Sequence, residues 1–386
     1  ARLAEDFPKA RFAMIGPAGE RQVAMACVRG DEGHAAGRCG LGAALGSKNV
    51  KAIVATGGQR PDAADPEALR ALNREVMDAV RQDEFLSDVQ GPIGTTSLVE
   101  PVNEFHAFPT KNHQMRYFEG APKIYGERIA EEYVVRRTTC PACPVRCRMH
   151  VSIDGEELEA AEYETVWAFG GDNCVDDYAL IARANDLCND LGIDTMSAGN
   201  TIAFYREYSD TFDDPSVILD LIDKIAYRRD EGDALAEGTR AAAEEFGVDY
   251  AMQVKGLELA AYDPRKLTGM AISYSTANRG GCHSRSWTVA DELSGQDFSG
   301  QELAEMVAAY HDAGCVRDSL IVCTFLNAVG QLFYPRALTH VLGREVDDEM
   351  LAATGERIYT LERALNVRRG VGVSQDVLPR RLMEGL

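Results

Sequence analysis

This chain contains no run of 18 or more apolar residues, and its first residues, Ala1-Arg2-Leu3-Ala4-Glu5-Asp6, lack the basic segment and apolar core of a secretion signal. A membrane-spanning helix is therefore excluded, and the expectation is a soluble, cytoplasmic protein. Positive charge is also in short supply: 40 Lys and Arg stand against 61 Asp and Glu, a net charge of -21. Nucleic acid and anionic membrane surfaces both require concentrated positive charge, so neither is expected as a partner. The acidic residues are spread along the chain and read as a solvated surface. Low-complexity tracts and internal repeats are missing as well. With 386 residues, 45% of them hydrophobic, the chain can bury a large core and divide into two or three compact units.

Ten cysteines are present, without the regular spacing of a disulfide scaffold. Three of them fall in Cys140-Pro141-Ala142-Cys143-Pro144-Val145-Arg146-Cys147, a C-x-x-C-x-x-x-C loop fenced by prolines. Thiolates are soft, strongly donating ligands, and a tight C-x-x-C turn offers two sulfurs to one metal centre, which suits either zinc or an iron-sulfur cluster. A fourth ligand must come from elsewhere. Cys323 is the candidate, because one distant cysteine completing a compact three-cysteine loop is usual for iron-sulfur sites. Cys27, Cys174, Cys188 and Cys315 read as plain buried residues.

The N-terminal stretch alternates as strands do at 10–15, 23–28 and 51–56, and turns follow at Gly16-Pro17 and Gly57-Gly58. Between them lies the densest run of glycine, from Gly37-Arg38 through Gly40 and Gly42 to Gly46-Ser47-Lys48. Glycines let backbone amides approach an anion, and Arg38 and Lys48 supply charge, so the run is either a phosphate loop or a turn-rich hairpin. Beyond it the texture is helical: a capped helix from Asp65-Pro66 to Val80, a helix at 124–135 leading to the cysteine loop, then helices at 163–170, 176–192, 197–208, 215–229 and 234–246. Residues 149–153 read as a short strand with a turn at Asp154-Gly155. The last helices are expected at 301–313, 319–327, 347–354 and 356–366.

Several segments, in order, resemble the aldehyde ferredoxin oxidoreductase family of tungsten or molybdenum bis-pterin enzymes. They are Ile15-Gly16-Pro17-Ala18-Gly19-Glu20, Gly37 to Gly42 with Gly46-Ser47-Lys48-Asn49, Pro109-Thr110-Lys111-Asn112, the cysteine loop, Glu162-Tyr163-Glu164-Thr165, Leu191-Gly192-Ile193-Asp194-Thr195, Tyr262-Asp263-Pro264-Arg265, Asn278 to His283, and Asp318 to Cys323. The resemblance implies a mainly α fold: a partial β-rich N-terminal domain (1–58), then two multihelical domains (59–255 and 256–386) with the cofactor between them. It implies a [4Fe-4S] cluster on Cys140, Cys143, Cys147 and Cys323. It also implies pterin contacts from Arg38, Gly40, Gly42, Asn189, Asp194 and Asp318, with Mg bridging the pterin phosphates.

The implied reaction oxidises an aldehyde to a carboxylic acid and passes electrons through the cluster to ferredoxin or a ferredoxin-like subunit, in an oligomeric assembly. That chemistry needs a proton acceptor and a donor that polarises the carbonyl. Glu162 or Glu164 takes the first role and His283 the second; residues two apart on a helix point about 200° apart, so one Glu at most faces the metal. Two alternatives share the scaffold: a ring-reducing enzyme of the benzoyl-coenzyme A reductase type, and a non-catalytic electron-transfer subunit. The sequence departs from the family pattern D-x-x-G-L at two places. Asn189 replaces the first Asp, and Ile321 replaces the Gly that should follow Asp318. The family's first domain also begins before Ala1, so a second chain would supply that part or the sequence is a fragment.

Overall fold

The computed structural model describes residues 2–30, 33–58, 61–326, 329 and 333–384. As the family resemblance implies, the fold is mainly helical, with a small β-rich N-terminal part. Four short strands, β1 (Arg11–Ile15), β2 (Val28–Gly30), β3 (Ala35–Ala36) and β4 (Ala52–Ala55), form an antiparallel sheet of order β3-β2-β1-β4. Alternation in β1 and β4 brings Phe12 opposite Val54 and Ala13 opposite Ile53.

The strand expected at 23–28 is not one. Val23, Met25, Ala26 and Cys27 are buried, but their backbone groups bond to the helical body: Ala24 N–H to the Ala236 carbonyl, Cys27 N–H to Gly192, and Asp194 N–H to Met25. Buried backbone groups must find partners, and here they find them across the junction rather than in the sheet. Only Val28–Gly30 remains as β2.

The helix expected at 124–135 is also shorter. It runs Gly126–Glu132, after which the β-branched pair Val134-Val135 opens a strand, β5 (Val134–Thr138). β5 pairs with β6 (Arg148–Ile153), which pairs with β7 (Glu156–Glu159) across the Asp154-Gly155 turn, where both residues have positive φ. The cysteine loop is therefore carried between two paired strands instead of hanging from a helix end.

Behind this meander stand the helices Tyr163–Phe169, Tyr178–Leu191, Thr195–Tyr208, Val217–Tyr227 and Thr239–Phe246. Trp167, Tyr163, Phe169 and Phe204 are almost wholly buried among them and form the centre of the core. Aromatic side chains of that size supply about 2–3 kcal/mol each on burial. A two-stranded hairpin, β8 (Gln253–Val254) and β9 (Leu257–Glu258), precedes the C-terminal helices.

Those C-terminal helices are longer than their sequence signals. Gly300–Leu320 is continuous, opened by a Ser299/Glu302 capping box, so the helix expected at 319–327 does not start there; Asn327 lies outside the described residues. Asp348–Arg368 is likewise one helix, passing through Gly355 where it crosses the backbone at Asp312. Among the described residues no helix is long and apolar enough to cross a membrane.

Candidate active site and cysteine loop

Glu164 lies in the first turn of Tyr163–Phe169, where the buried faces of Tyr163, Val166 and Trp167 fix the helix against the core. Its Oε2 accepts the Ala261 N–H at 3.0 Å, and its Oε1 faces His283 Nδ1 at 3.4 Å. Neither of those last two atoms has a hydrogen-bond partner among the described residues. Burial raises the Glu164 carboxyl to about 8, against the opposing pull of the Ala261 amide and Arg38. Burial also lowers His283 to about 3, and Arg38, Arg279 and Arg317 push the same way. Both groups are thus mainly neutral at pH 7, the carboxyl keeping its proton and the imidazole carrying one. The Tyr262 ring, 5.8 Å from that of His283, closes one side.

Glu162 caps the same helix from outside and points elsewhere, as the helical spacing predicts. Its Oε2 accepts from Thr95 Oγ1 at 2.7 Å, and that hydroxyl in turn accepts the Tyr163 N–H at 3.0 Å. Although its surface is open to a cleft, crowding by the cleft wall raises its carboxyl, with Thr95 opposing. Glu164 alone of the two meets His283.

The three loop cysteines curl because Ala142 and Arg146 adopt left-handed backbone conformations, φ 59° each. The Cys143 N–H closes the turn onto the Cys140 carbonyl at 3.0 Å, and Thr139 Oγ1 donates to the Cys143 carbonyl at 2.7 Å. Cys323 follows the end of Gly300–Leu320, distant in sequence yet in electrostatic range. Cys147 is pushed up to about 12, first by burial, then by Glu162, Cys323, Cys143 and Cys140; Cys323 is raised by burial and by Cys143 and Cys140. Each of Cys140, Cys147 and Cys323 is thus raised in part by neighbouring thiols of the same four, an effect that a cation nearby would reverse. Among the described residues no three His, Cys, Asp or Glu side chains close around a single-ion position. His34, which the sequence reading passed over, sits with Nε2 3.4 Å from Cys140 Sγ.

Between the N-terminal sheet and the ends of β6 and β7 opens a cleft of about 690 Å³, lined by Arg29, Arg148, Glu159, Glu162, Asn189 and Asp194 among others. Asn189 Oδ1 accepts from Arg29 Nη1 at 2.8 Å, and Arg148 Nη2 reaches Glu159 at 2.6 Å. Arg29 and Arg148 were not legible as site residues, since each sits alone on a strand. Asp194 is the N-cap of Thr195–Tyr208, accepting from the Met196 and Ser197 amides, and it also accepts from Arg38 Nε at 3.3 Å.

The other expected pterin contacts turn out differently placed. Arg38 is nearly buried, and besides Asp194 it donates to the Gly281 carbonyl at 3.0 Å and the Glu258 carbonyl at 2.6 Å, so it works as a strut between segments rather than an open phosphate grip. Gly40, at φ 68°, opens the short helix Leu41–Gly46, and a Cβ there would meet the Ala24 carbonyl at 2.4 Å. A Cβ on Gly42 would meet the Cys27 carbonyl at the same separation. These two glycines let backbone pack on backbone, and only Gly37 of the run lines the cleft. Asp318 stands apart, held by Arg285 Nε at 3.0 Å and Arg317 Nη2 at 3.1 Å. Arg285, also unforeseen, ties Asp318 to Glu362.

Against known proteins, a family model described as aldehyde ferredoxin oxidoreductase, domains 2 and 3, matches residues 71–386, and the model for the N-terminal domain of the same family matches residues 1–57. The chain is 35% identical over 401 residues to the tungsten-containing aldehyde ferredoxin oxidoreductase of Thermococcus kodakarensis and 36% identical to that of Pyrococcus abyssi. Each alignment covers 97% of this chain and 66% of the relative, so the chain spans just under two thirds of those proteins' length. An aliphatic sulfonate oxidoreductase, WOR-like subunit, of Pyrococcus furiosus is 27% identical over 400 residues, covering 94% of this chain and 60% of that protein. Among solved structures, the active site complex BamBC of benzoyl coenzyme A reductase, in complex with 1,5-dienoyl-CoA, superposes with a TM-score of 0.79 at 21% identity, over 99% of this chain and 69% of that one. That likeness is one of fold.

Proposed function

This chain belongs to the aldehyde ferredoxin oxidoreductase family, and from that premise we propose that it carries the catalytic part of an enzyme oxidising aldehydes to carboxylic acids, with electrons leaving through a [4Fe-4S] cluster to a ferredoxin or ferredoxin-like subunit. The observation that carries the reading is the neutral, buried Glu164–His283 pair at 3.4 Å, with Glu162 and Thr165 of the same segment lining the large cleft. Cleft and pair suit a bis-pterin tungsten group, with molybdenum as the alternative metal. The cleft wall carries Arg29, Arg148 and Asn189, donors and acceptors of the kind a pterin's polar edge and phosphate need, and Glu164 Oε1 and His283 Nδ1 have no protein partner better than each other. Cys140, Cys143, Cys147 and Cys323 would hold the cluster. When bound, the metal group would supply the two-electron acceptor; everything else falls to the protein.

Neutral His283, in the tautomer that bears hydrogen on Nε2, is a donor at that atom. That N–H donates to the aldehyde oxygen and withdraws electron density from the carbonyl carbon. Once Glu164 loses its proton it accepts one from the attacking water or hydroxyl. The domain limits 1–58, 59–255 and 256–386 are proposed on the same family pattern, with the junction between them as the cofactor's place.

The test is anaerobic preparation of the complete assembly with iron, tungsten and molybdenum counted on one sample, followed by aldehyde-dependent reduction of a viologen dye. About four irons and one tungsten or molybdenum per chain with dye reduction is the expected result. Metal-replete protein that reduces no dye with any aldehyde overturns it.

A further inference from the structure

A second cleft, of about 660 Å³, opens where Met25 and Cys39, Gly238, the β8–β9 hairpin and Arg279 come together, and the reaction above leaves it without a role. Its charges are mostly spent. Lys255 is buried against Asp376 at 2.7 Å, Glu258 accepts the Thr239 N–H at 2.9 Å, and Glu237 on the rim pairs with Arg228 at 2.7 Å. Arg279 is different: it is exposed in the cleft, no carboxylate among the described residues pairs with it, and one end of its guanidinium is pinned to the Cys282 sulfur.

The cleft also shares a wall with the candidate active site. Cys282 immediately precedes His283, and Arg38 holds both the Gly281 carbonyl and the carbonyl of Glu258, which lines this cleft. A pinned guanidinium with free N–H groups is a preorganised fork for a carboxylate, because the planar donor set matches two oxygens and little rotamer freedom remains to be lost.

We infer that the second cleft is a carboxylate-recognition subsite anchored by Arg279, receiving either a remote carboxylate on the aldehyde substrate or the carboxylate product on its way out. The sources of the carboxylate rest on the proposed reaction; the subsite itself does not.

Cys39, an exposed thiol in the same cleft, serves as reporter. The rates of its alkylation by iodoacetate and by iodoacetamide are compared on the folded chain by peptide-resolved mass spectrometry, each normalised to the urea-unfolded chain. One nearby unpaired positive charge should favour the anionic reagent about threefold to tenfold. The preference should persist in Arg279→Lys and vanish in Arg279→Gln, and succinate should slow the labelling where succinamide does not. No anionic preference in the wild-type chain, or one that survives in Arg279→Gln, overturns the proposal whether or not the protein turns over aldehydes.

On active enzyme, kcat/KM is measured for succinic semialdehyde and for butanal, together with inhibition by butanoate. If the substrate supplies the carboxylate, Arg279→Gln lowers kcat/KM about tenfold more for the semialdehyde than for butanal; if the product supplies it, the same variant relieves inhibition by butanoate instead. Equal effects on both aldehydes with unchanged inhibition overturn the subsite.

Discussion

Glu164 Oε1 and His283 Nδ1 stand 3.4 Å apart in a buried setting that makes both side chains neutral at pH 7. Two groups pushed in opposite directions by one desolvating environment are the usual way in which a fold separates an acid from a base. The pair also resolves the choice between Glu162 and Glu164 on geometry, since Glu162 turns to Thr95 and the cleft.

The pH dependence of turnover should follow Glu164. Its carboxyl, near 8, must lose a proton before it can accept one, so kcat/KM for a neutral aldehyde should climb with pH through about 8 and then level off. His283, near 3, contributes no limb in the neutral range. Glu164→Gln should be slower by about 10²–10⁴ and should lose the limb while keeping its metals. A wild-type profile flat from about pH 6.5 to 9 would remove Glu164 as the base.

The same shifts act on stability. Folded Glu164 binds its proton more tightly than an unfolded Glu near 4.3, so between about 4.3 and about 8 the folded state carries more protons and stability falls as pH rises. His283 has the opposite sign: the unfolded imidazole binds a proton that the folded one releases, so its contribution rises with pH between about 3 and 6.5. In urea unfolding of the metal-free chain, Glu164→Gln should therefore gain on wild type as pH goes from about 5.5 to 8.5. A relative loss over that interval would mean that the carboxylate is stabilised in place.

For the cysteine loop, Cys323→Ser should lower iron per chain or convert the cluster to a three-iron form, read by elemental analysis and low-temperature electron paramagnetic resonance. The expectation follows from the repulsion that Cys323 exerts on Cys147 despite its separation in sequence. Unchanged iron and an unchanged spectrum would place the fourth ligand elsewhere, with His34 beside Cys140 as the next residue to replace.

What the sequence made legible was the chemistry with a local signature. C-x-x-C-x-x-x-C, the Asp154-Gly155 turn and most of the amphipathic helices can be read within ten residues; the turn and the helices of the central core are where they were expected, whereas the helix expected at 124–135 was too long and the C-terminal helices were split too finely. What escaped depended on partners far along the chain. Val23 to Cys27 alternates like a strand but spends its hydrogen bonds on Gly192, Asp194 and Ala236. Arg38 looked like a phosphate ligand because it sits among glycines, whereas its guanidinium is committed to Asp194 and to carbonyls at 258 and 281. Arg29 and Arg148 carry no local mark at all, and only the fold brings them to one cleft.

The Lys111-Asn112-His113 turn holds three consecutive positive φ values, each costly for a residue with a Cβ. It is fastened by Arg381, which donates to the Asn112 carbonyl at 2.6 Å and bidentately to Glu207, itself bound by the Asn112 amide. Arg381→Ala leaves Glu207 mostly buried without its cation and should cost about 3 kcal/mol. The unfolding midpoint in urea is the measurement, and a change below about 0.5 kcal/mol would show that the turn does not depend on the C-terminal segment.

Ile321 offers the sharpest separation of stability from cluster geometry. It occupies φ 57° at the end of Gly300–Leu320, where the family pattern has Gly, and 92% of its surface is exposed, so its side chain gains almost nothing from packing to offset the backbone strain. A β-branched residue in this conformation costs about 1–2 kcal/mol, while glycine adopts it freely and forfeits part of that gain through a more disordered unfolded chain. Ile321→Gly should therefore stabilise the metal-free chain by about 0.5–1 kcal/mol, seen as a higher urea midpoint at unchanged m-value. Cys323 lies two residues on, so the variant also tests whether the strained cap sets the thiol's position. If iron content and spectrum stay as in wild type while the midpoint rises, the isoleucine is a tolerated cost of the turn; if the midpoint rises and the spectrum shifts, strain at Ile321 is part of how Cys323 is presented to the loop. A midpoint that falls would contradict the strain argument itself.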